Sequence, residues 1–145
     1  MDALNKTVSA AHITHAAAAQ LIEAARVAAT EIGIKVAIAV TDAGGHLLAF
    51  ERADGVPYLT TDVAINKAWT SASFGLPTHV WNSILTNDSQ VAQLAHTPRL
   101  VAVGGGVPVK LNGQLVGGLG ISGGDYAQDQ RACEAALAAI GFDTK

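Results

Sequence analysis

Residues 99–129 read RLVAVGGGVPVKLNGQLVGGLGISGGDYAQD and hold nine of the fifteen glycines of this 145-residue chain. Three short runs rich in Val and Leu, at 99–103, 106–111 and 114–121, have the composition of strands. Asn112-Gly113 stands between the last two. Both residues tolerate positive φ, as a two-residue hairpin turn requires. Asp125 follows, with Gln128 three residues on. That spacing predicts a capping box at the start of a helix over 126–140, which Gly141 ends. The segment also contains GxGxxG, at Gly118, Gly120 and Gly123. A dinucleotide site needs that turn to open a βαβ unit with a further strand, and the residues after Gly123 read as one helix. The glycines are therefore expected to serve close backbone packing.

Upstream, Leu21, Ala25, Ala28 and Ile32 recur at helical spacing between Thr14 and Ile32, and Gly33 suits the end of that helix. Residues 35–42 and 46–52 read as strands around the turn Ala43-Gly44-Gly45. A connection this short makes the pair antiparallel. A second helix is expected from Thr60 or Thr61 to Phe74, with Ile65, Ala68, Trp69 and Ala72 inward and Asp62, Asn66, Thr70 and Ser73 on the opposite side. A shorter helix opens at Pro77-Thr78-His79 and runs to about Leu85, with Val80, Trp81 and Ile84 inward; residues 86–98 read as a polar loop. The order is α-β-β-α-α-β-β-β-α. It predicts an α+β fold in which a five-stranded antiparallel sheet is flanked by helices. Residues 1–11 are expected to be loose, and 12–145 to form a single domain.

Charged residues make up 14% of the chain, against about 25% in typical soluble domains. So sparse a charged surface predicts burial against further copies, that is, a homo-oligomer. The net charge of −3 and the absence of a basic run predict no nucleic-acid partner. Gln20, Glu23 and Arg26 interrupt the longest apolar run, and the first residues carry no apolar signal core. No membrane segment and a cytoplasmic location are the expectations. Cys133 is a lone cysteine among alanines and reads as a small buried apolar residue.

Among the five histidines, His12 and His15 stand three apart at a helix start, but no carboxylate or cysteine accompanies them, so no metal site is expected. His46 beside a glycine turn and His96 in a loop read as structural or exposed. His79 lies at a helix start near Trp81, where a planar ligand would find a donor and an aromatic. Asp62 and Lys67 are five apart, on different helix faces. Asp42 and Arg52, on the two strands of the first hairpin, read as a structural ion pair; Arg52 with Asp54 is the alternative, as a clamp for an acidic substrate. Gly104-Gly105-Gly106 reads either as an anion cradle or as a bend only glycine allows. No arrangement of catalytic residues can be assigned.

The motifs VTDAGGHLLAFERADG, DVAINKAWTSASF, GGGVPV and GGLGISGGDYAQDQRACEAAL, in this order, resemble the GlcG/HbpS family, and especially the C-terminal domain of PduO proteins, which accompany cobalamin-dependent glycerol and diol dehydratases. The resemblance covers about residues 12–141. It implies a profilin-like fold, homo-oligomers and, in several members, haem, without an established reaction. Asp42, Gly44, Gly45, Arg52, Asp62, Lys67, Gly105, Gly106, Gly120, Ser122, Gly123, Gln128 and Asp129 match recurrent positions and read mostly as turns, caps and buried ion pairs. Thr78 and His79 match the haem-contacting region, where the ligand is a hydroxyl in HbpS-type members and a histidine in PduO-type ones. Thr78, His79 and Trp81 are thus the candidate haem-binding residues. Arg52, Gly105 and Gly106 are the candidate anion or small-molecule contacts. Three functions follow as expectations. The first is a haem- or tetrapyrrole-binding accessory protein in glycerol, diol or glycolate metabolism. The second is a small enzyme or carrier for a metabolite, and the third a structural partner of dehydratase-associated proteins.

Overall fold

A computed structural model describes residues 3–145. Its elements are α1 (His15–Ile32), β1 (Ala37–Asp42), β2 (Leu47–Arg52), α2 (Leu59–Phe74), α3 (Thr78–Asn87), a 3₁₀ segment (Val91–His96), β3 (Gly106–Leu111), β4 (Gln114–Ser122) and α4 (Tyr126–Ile140). The strands form one antiparallel sheet in the order β2-β1-β4-β3.

Helix ends follow local chemistry. Thr14 caps α1 by accepting the Ala17 amide, and Gly33 closes it at φ 90°. Asp125 and Gln128 form the capping box of α4, and Gly141 closes it at φ 87°. Asn112 and Gly113 make the β3–β4 turn at φ 52° and 82°.

The sheet has two unlike faces, because successive strand residues point to opposite sides. Ile38 and Val40 of β1, Val107 and Val109 of β3, and Leu119 and Ile121 of β4 pack beneath α1 and α4. The reverse face carries small residues: Ala37 and Ala39 meet Ala64 and Ala68 of α2. Gly118 and Gly120 of β4 let α2 approach so closely that an added Cβ would run into the carbonyls of Ala68 and Ala64. GxGxxG therefore serves helix-on-sheet packing.

This approach also sets which side of α2 is inward. The buried residues are Ala64, Lys67, Ala68, Thr70, Ser71 and Ala72, while the larger Ile65 and Trp69 lie half-buried at the margins. Thr70, expected to face outward, is buried. On α3, only Trp81 of the expected inward trio is fully buried.

The expected fifth strand at 99–103 does not form; among the described residues the sheet has four strands. Side chains of α2 and α3 take up its backbone groups instead. Thr70 Oγ1 donates to Arg99 O and accepts from Val101 N, both at 3.1 Å. Asn82 Nδ2 donates to Ala102 O at 2.9 Å, and Thr78 Oγ1 to Val103 O at 2.6 Å. Groups paired to side chains are satisfied without a strand ladder. The polar loop, too, holds more structure than expected: α3 extends to Asn87 and a 3₁₀ turn follows. No helix of the described residues is long and apolar enough to cross a membrane.

Candidate functional site

The start of α3, strand β3, helix α4 and the C-terminal residues enclose a groove of about 410 Å³. Leu76, Pro77, Val107, Pro108 and Leu137 give it apolar walls, and His79, Lys110 and Glu134 bring ionisable groups to it. His79 is exposed on the first turn of α3. Among the described residues its ring forms no hydrogen bond or ion pair, so both ring nitrogens remain available to a ligand.

The C-terminal wall is fixed by backbone chemistry. Asp143 donates its amide to Lys110 O at 2.9 Å. Its carboxylate accepts the amides of Asn112 and Gly113 at 3.1 and 2.7 Å.

Thr78, adjacent to His79 in sequence, is differently placed. It is fully buried, its hydroxyl donating to Val103 O and accepting from Gly106 N at 2.9 Å. The single hydroxyl proton is thereby spent, and Thr78 acts as a clasp between α3 and the segment before β3. Trp81 is 4% exposed and packs edge-to-face on Phe74, with ring centroids 4.7 Å apart. It is not among the groove-lining residues. Its buried Nε1 has no hydrogen-bond partner among the described residues.

Gly105 and Gly106 form a bend with no free anion cradle. Gly105 N donates to Gln130 Oε1 at 3.0 Å, and Gly106 N to Thr78 Oγ1. Gly105, at φ 114°, lies over a buried ion pair: Lys67 Nζ is 3.3 Å from Asp129 Oδ2 and donates to Ile121 O at 2.9 Å. Burial raises the Asp129 carboxyl above its ordinary value, although Lys67 and the Gly124 amide favour its charged form. Cys133 lies beside this pair and donates to Gly105 O; burial pushes its thiol strongly up.

The first hairpin corrects another expectation. Arg52 pairs with Ala37, at the far end of β1 from Asp42, so these two residues form no ion pair. About five residues at ~3.3 Å each separate them along the strand. Asp42 instead organises its own turn. It accepts the amides of Gly44 and His46 at 2.9 and 3.0 Å and faces His46 Nδ1 at 3.2 Å. Partial burial works against its charge, but the His46 and Gly44 bonds prevail and lower its pKa. Gly45 is the turn's strained position, at φ 82°, with Trp69 against its α-carbon. Glu51, next to Arg52, pairs with Arg26 at 2.8 Å. Arg52 is exposed and, among the described residues, makes no ion pair with Asp54 or any other carboxylate.

Asp62 is exposed in the first turn of α2, where a carboxylate suits the positive end of the helix. Gly120 and Gly123 mark close backbone approaches, the latter to Lys35 and Val36. His12 Nδ1 accepts the Ala43 amide at 3.2 Å. Among the described residues no three His, Cys, Asp or Glu side chains gather as metal ligands. Lys110, Gln130 and Glu134 went unrecognised in the sequence, since only the packing of α4 beside β3 brings them to His79.

The elements form a small α+β domain with a groove beside His79. The chain belongs to the HbpS-like family, described as haem degrading protein HbpS-like, whose model matches residues 13–138. It is 36% identical over 136 residues to an uncharacterised 15.0 kDa protein of the dhaT-dhaS intergenic region of Citrobacter freundii, covering 92% of this chain and 96% of that one. It is 35% identical over 127 residues to the corrinoid adenosyltransferase PduO of the same organism, covering 86% of this chain but 38% of PduO. The solved PduOC:heme complex superposes with a TM-score of 0.84 at 29% identity, covering 92% of this chain and 98% of that one.

Proposed function

We propose that this protein is a homo-oligomeric haem-binding accessory protein and that His79 supplies the iron ligand. The observation that carries the proposal is the free, exposed imidazole of His79 at an apolar groove, in a chain similar to one solved with haem. A neutral imidazole is a common axial ligand, and the bound group would supply a redox-active iron. Leu76, Val107 and Leu137 would meet the apolar macrocycle, and Lys110 its carboxylates. Thr78 is set aside as ligand because its hydroxyl is committed to Val103 and Gly106.

A cytoplasmic role beside glycerol, diol or glycolate metabolism is part of the same proposal and rests on the resemblance of the motifs to PduO-type proteins. Exposed Tyr58, Leu59 and Tyr126, on a chain with few charges, support burial between copies. Light scattering should give a multiple of 14.8 kDa.

Haem titration of the purified protein tests the ligand. A shifted Soret band that moves or weakens in His79→Ala, and stays unchanged in His12→Ala and His96→Ala, is the expected result. Wild type indistinguishable from an unrelated acidic protein would end the haem proposal. A band lost in His12→Ala instead would move the iron to the start of α1.

A further inference from the structure

Arg99 adopts φ 72°, a left-handed conformation unusual for a long side chain. Such outliers persist where surrounding contacts impose them, and they gather at ligand sites. The Thr70 hydroxyl holds the backbone here by bonding Arg99 O and Val101 N. The guanidinium carbon then lies over the Trp69 ring, 4.6 Å from its centroid, and Nε donates to Asn66 Oδ1 at 3.1 Å. A guanidinium held over a ring and bonded through Nε keeps its two terminal nitrogens for another partner. Among the described residues neither terminal nitrogen donates to the protein, although Arg99 is exposed and has no acidic partner.

Trp69 also borders a separate cavity of about 150 Å³, lined by Phe74, Leu94 and Leu100 with the hydroxyl-bearing Ser73 and Thr97. An apolar cavity of about this size accommodates one benzene-sized molecule. We infer that Arg99, oriented by Asn66 and Trp69, forms a carboxylate-binding site beside this cavity, taking a small monocarboxylate with a short apolar tail. The fork of an arginine matches the two oxygens of a carboxylate, and an orientation fixed in advance removes part of the ordering loss on binding. The site lies apart from the His79 groove, shares none of its lining residues and does not depend on haem.

Benzoate, with benzyl alcohol as its uncharged counterpart, is the probe. Calorimetry on the full chain should show saturable benzoate binding at least about tenfold tighter than benzyl alcohol, as loss of a charge-assisted pair requires. The Trp69 indole N–H resonance should shift on titration. Arg99→Gly accepts the same φ without a side chain, and Arg99→Lys keeps the charge without the fork. Each should weaken benzoate at least about tenfold and bring its affinity near that of benzyl alcohol. Equal binding of the two probes to wild type, no saturable benzoate binding, or full benzoate affinity in folded Arg99→Lys would overturn the assignment.

Discussion

The ammonium group of Lys67 on α2 lies 3.3 Å from a carboxylate oxygen of Asp129 on α4, and each side chain is 3% exposed. The pair joins two helices that pack on opposite faces of the sheet. It passes at Gly105, where a Cβ would stand 2.7 Å from Asp129 Cβ and 2.8 Å from Lys67 Nζ. Lys67→Met leaves Asp129 buried beside no cation and should destabilise the fold by about 3–5 kcal/mol. Lys67→Met with Asp129→Leu should recover much of that loss, because neither charge is then stranded. Denaturant melts of the two single variants and the double variant measure the coupling; strictly additive losses would show that the two residues act separately.

Two aspartates should respond to pH with opposite sign. Burial raises the Asp129 pKa, so the folded state holds its proton to a higher pH than the unfolded chain. Its contribution is fully present below the ordinary value of 3.8 and declines as pH rises through the folded value. Asp42 is lowered, so its contribution is fully present above 3.8 and is lost as pH falls through its folded value. Stability of wild type relative to Asp42→Asn should therefore shrink on acidification, and that relative to Asp129→Asn should grow. Denaturant melts at pH values below and above 3.8 follow both trends. The same pH trend in both comparisons would show that one of these assignments is wrong.

The two glycines of the first hairpin are not equivalent. Gly45 holds φ 82°, and a Cβ there would stand 2.7 Å from Trp69 Cδ1. At Gly44 the nearest neighbour is the movable ring of His46, at 3.0 Å. Gly45→Val should lose at least about 2 kcal/mol from backbone strain and crowding together. Gly44→Val should lose less, and thermal melts rank them; the reverse order would place the strain at Gly44.

Positive φ alone should prove milder than lost space. Gly113 has φ 82° with nothing near a new Cβ, so Gly113→Ala should be destabilising by about 1–2 kcal/mol. Gly120→Ala drives its methyl into the Ala64 carbonyl and should lose about 3 kcal/mol or prevent folding. Comparable melting temperatures would mean that α2 can retreat from the sheet.

Local chemistry made much of this fold readable. The Asp125–Gln128 box, the Asn112-Gly113 turn and the glycines after α1 and α4 each act within a few residues. The strand-like run at 99–103 misled because Thr70, Thr78 and Asn82, all distant in sequence, supply its hydrogen bonds. The Lys67–Asp129 pair spans 62 positions, and no local spacing reveals it. One signal was present: Lys67 falls between Ala64 and Ser71 on the small-residue side of α2. A lysine there must find a buried partner. His79 was legible as a donor at a helix start, whereas its groove depends on α4 and the tail packing beside β3.

The unequal faces of the sheet divide the molecule for protein engineering. Under α1 and α4, aliphatic side chains of several sizes interlock, so a library that conserves total volume has room to exchange them. Between β4 and α2 there is almost no side chain to exchange: Gly118 and Gly120 meet the backbone at Ala68 and Ala64. Codon choices on that side reduce nearly to Gly and Ala. Mutational diversity should therefore be spent on the α1–α4 layer, with the β4–α2 seam kept as the invariant chassis.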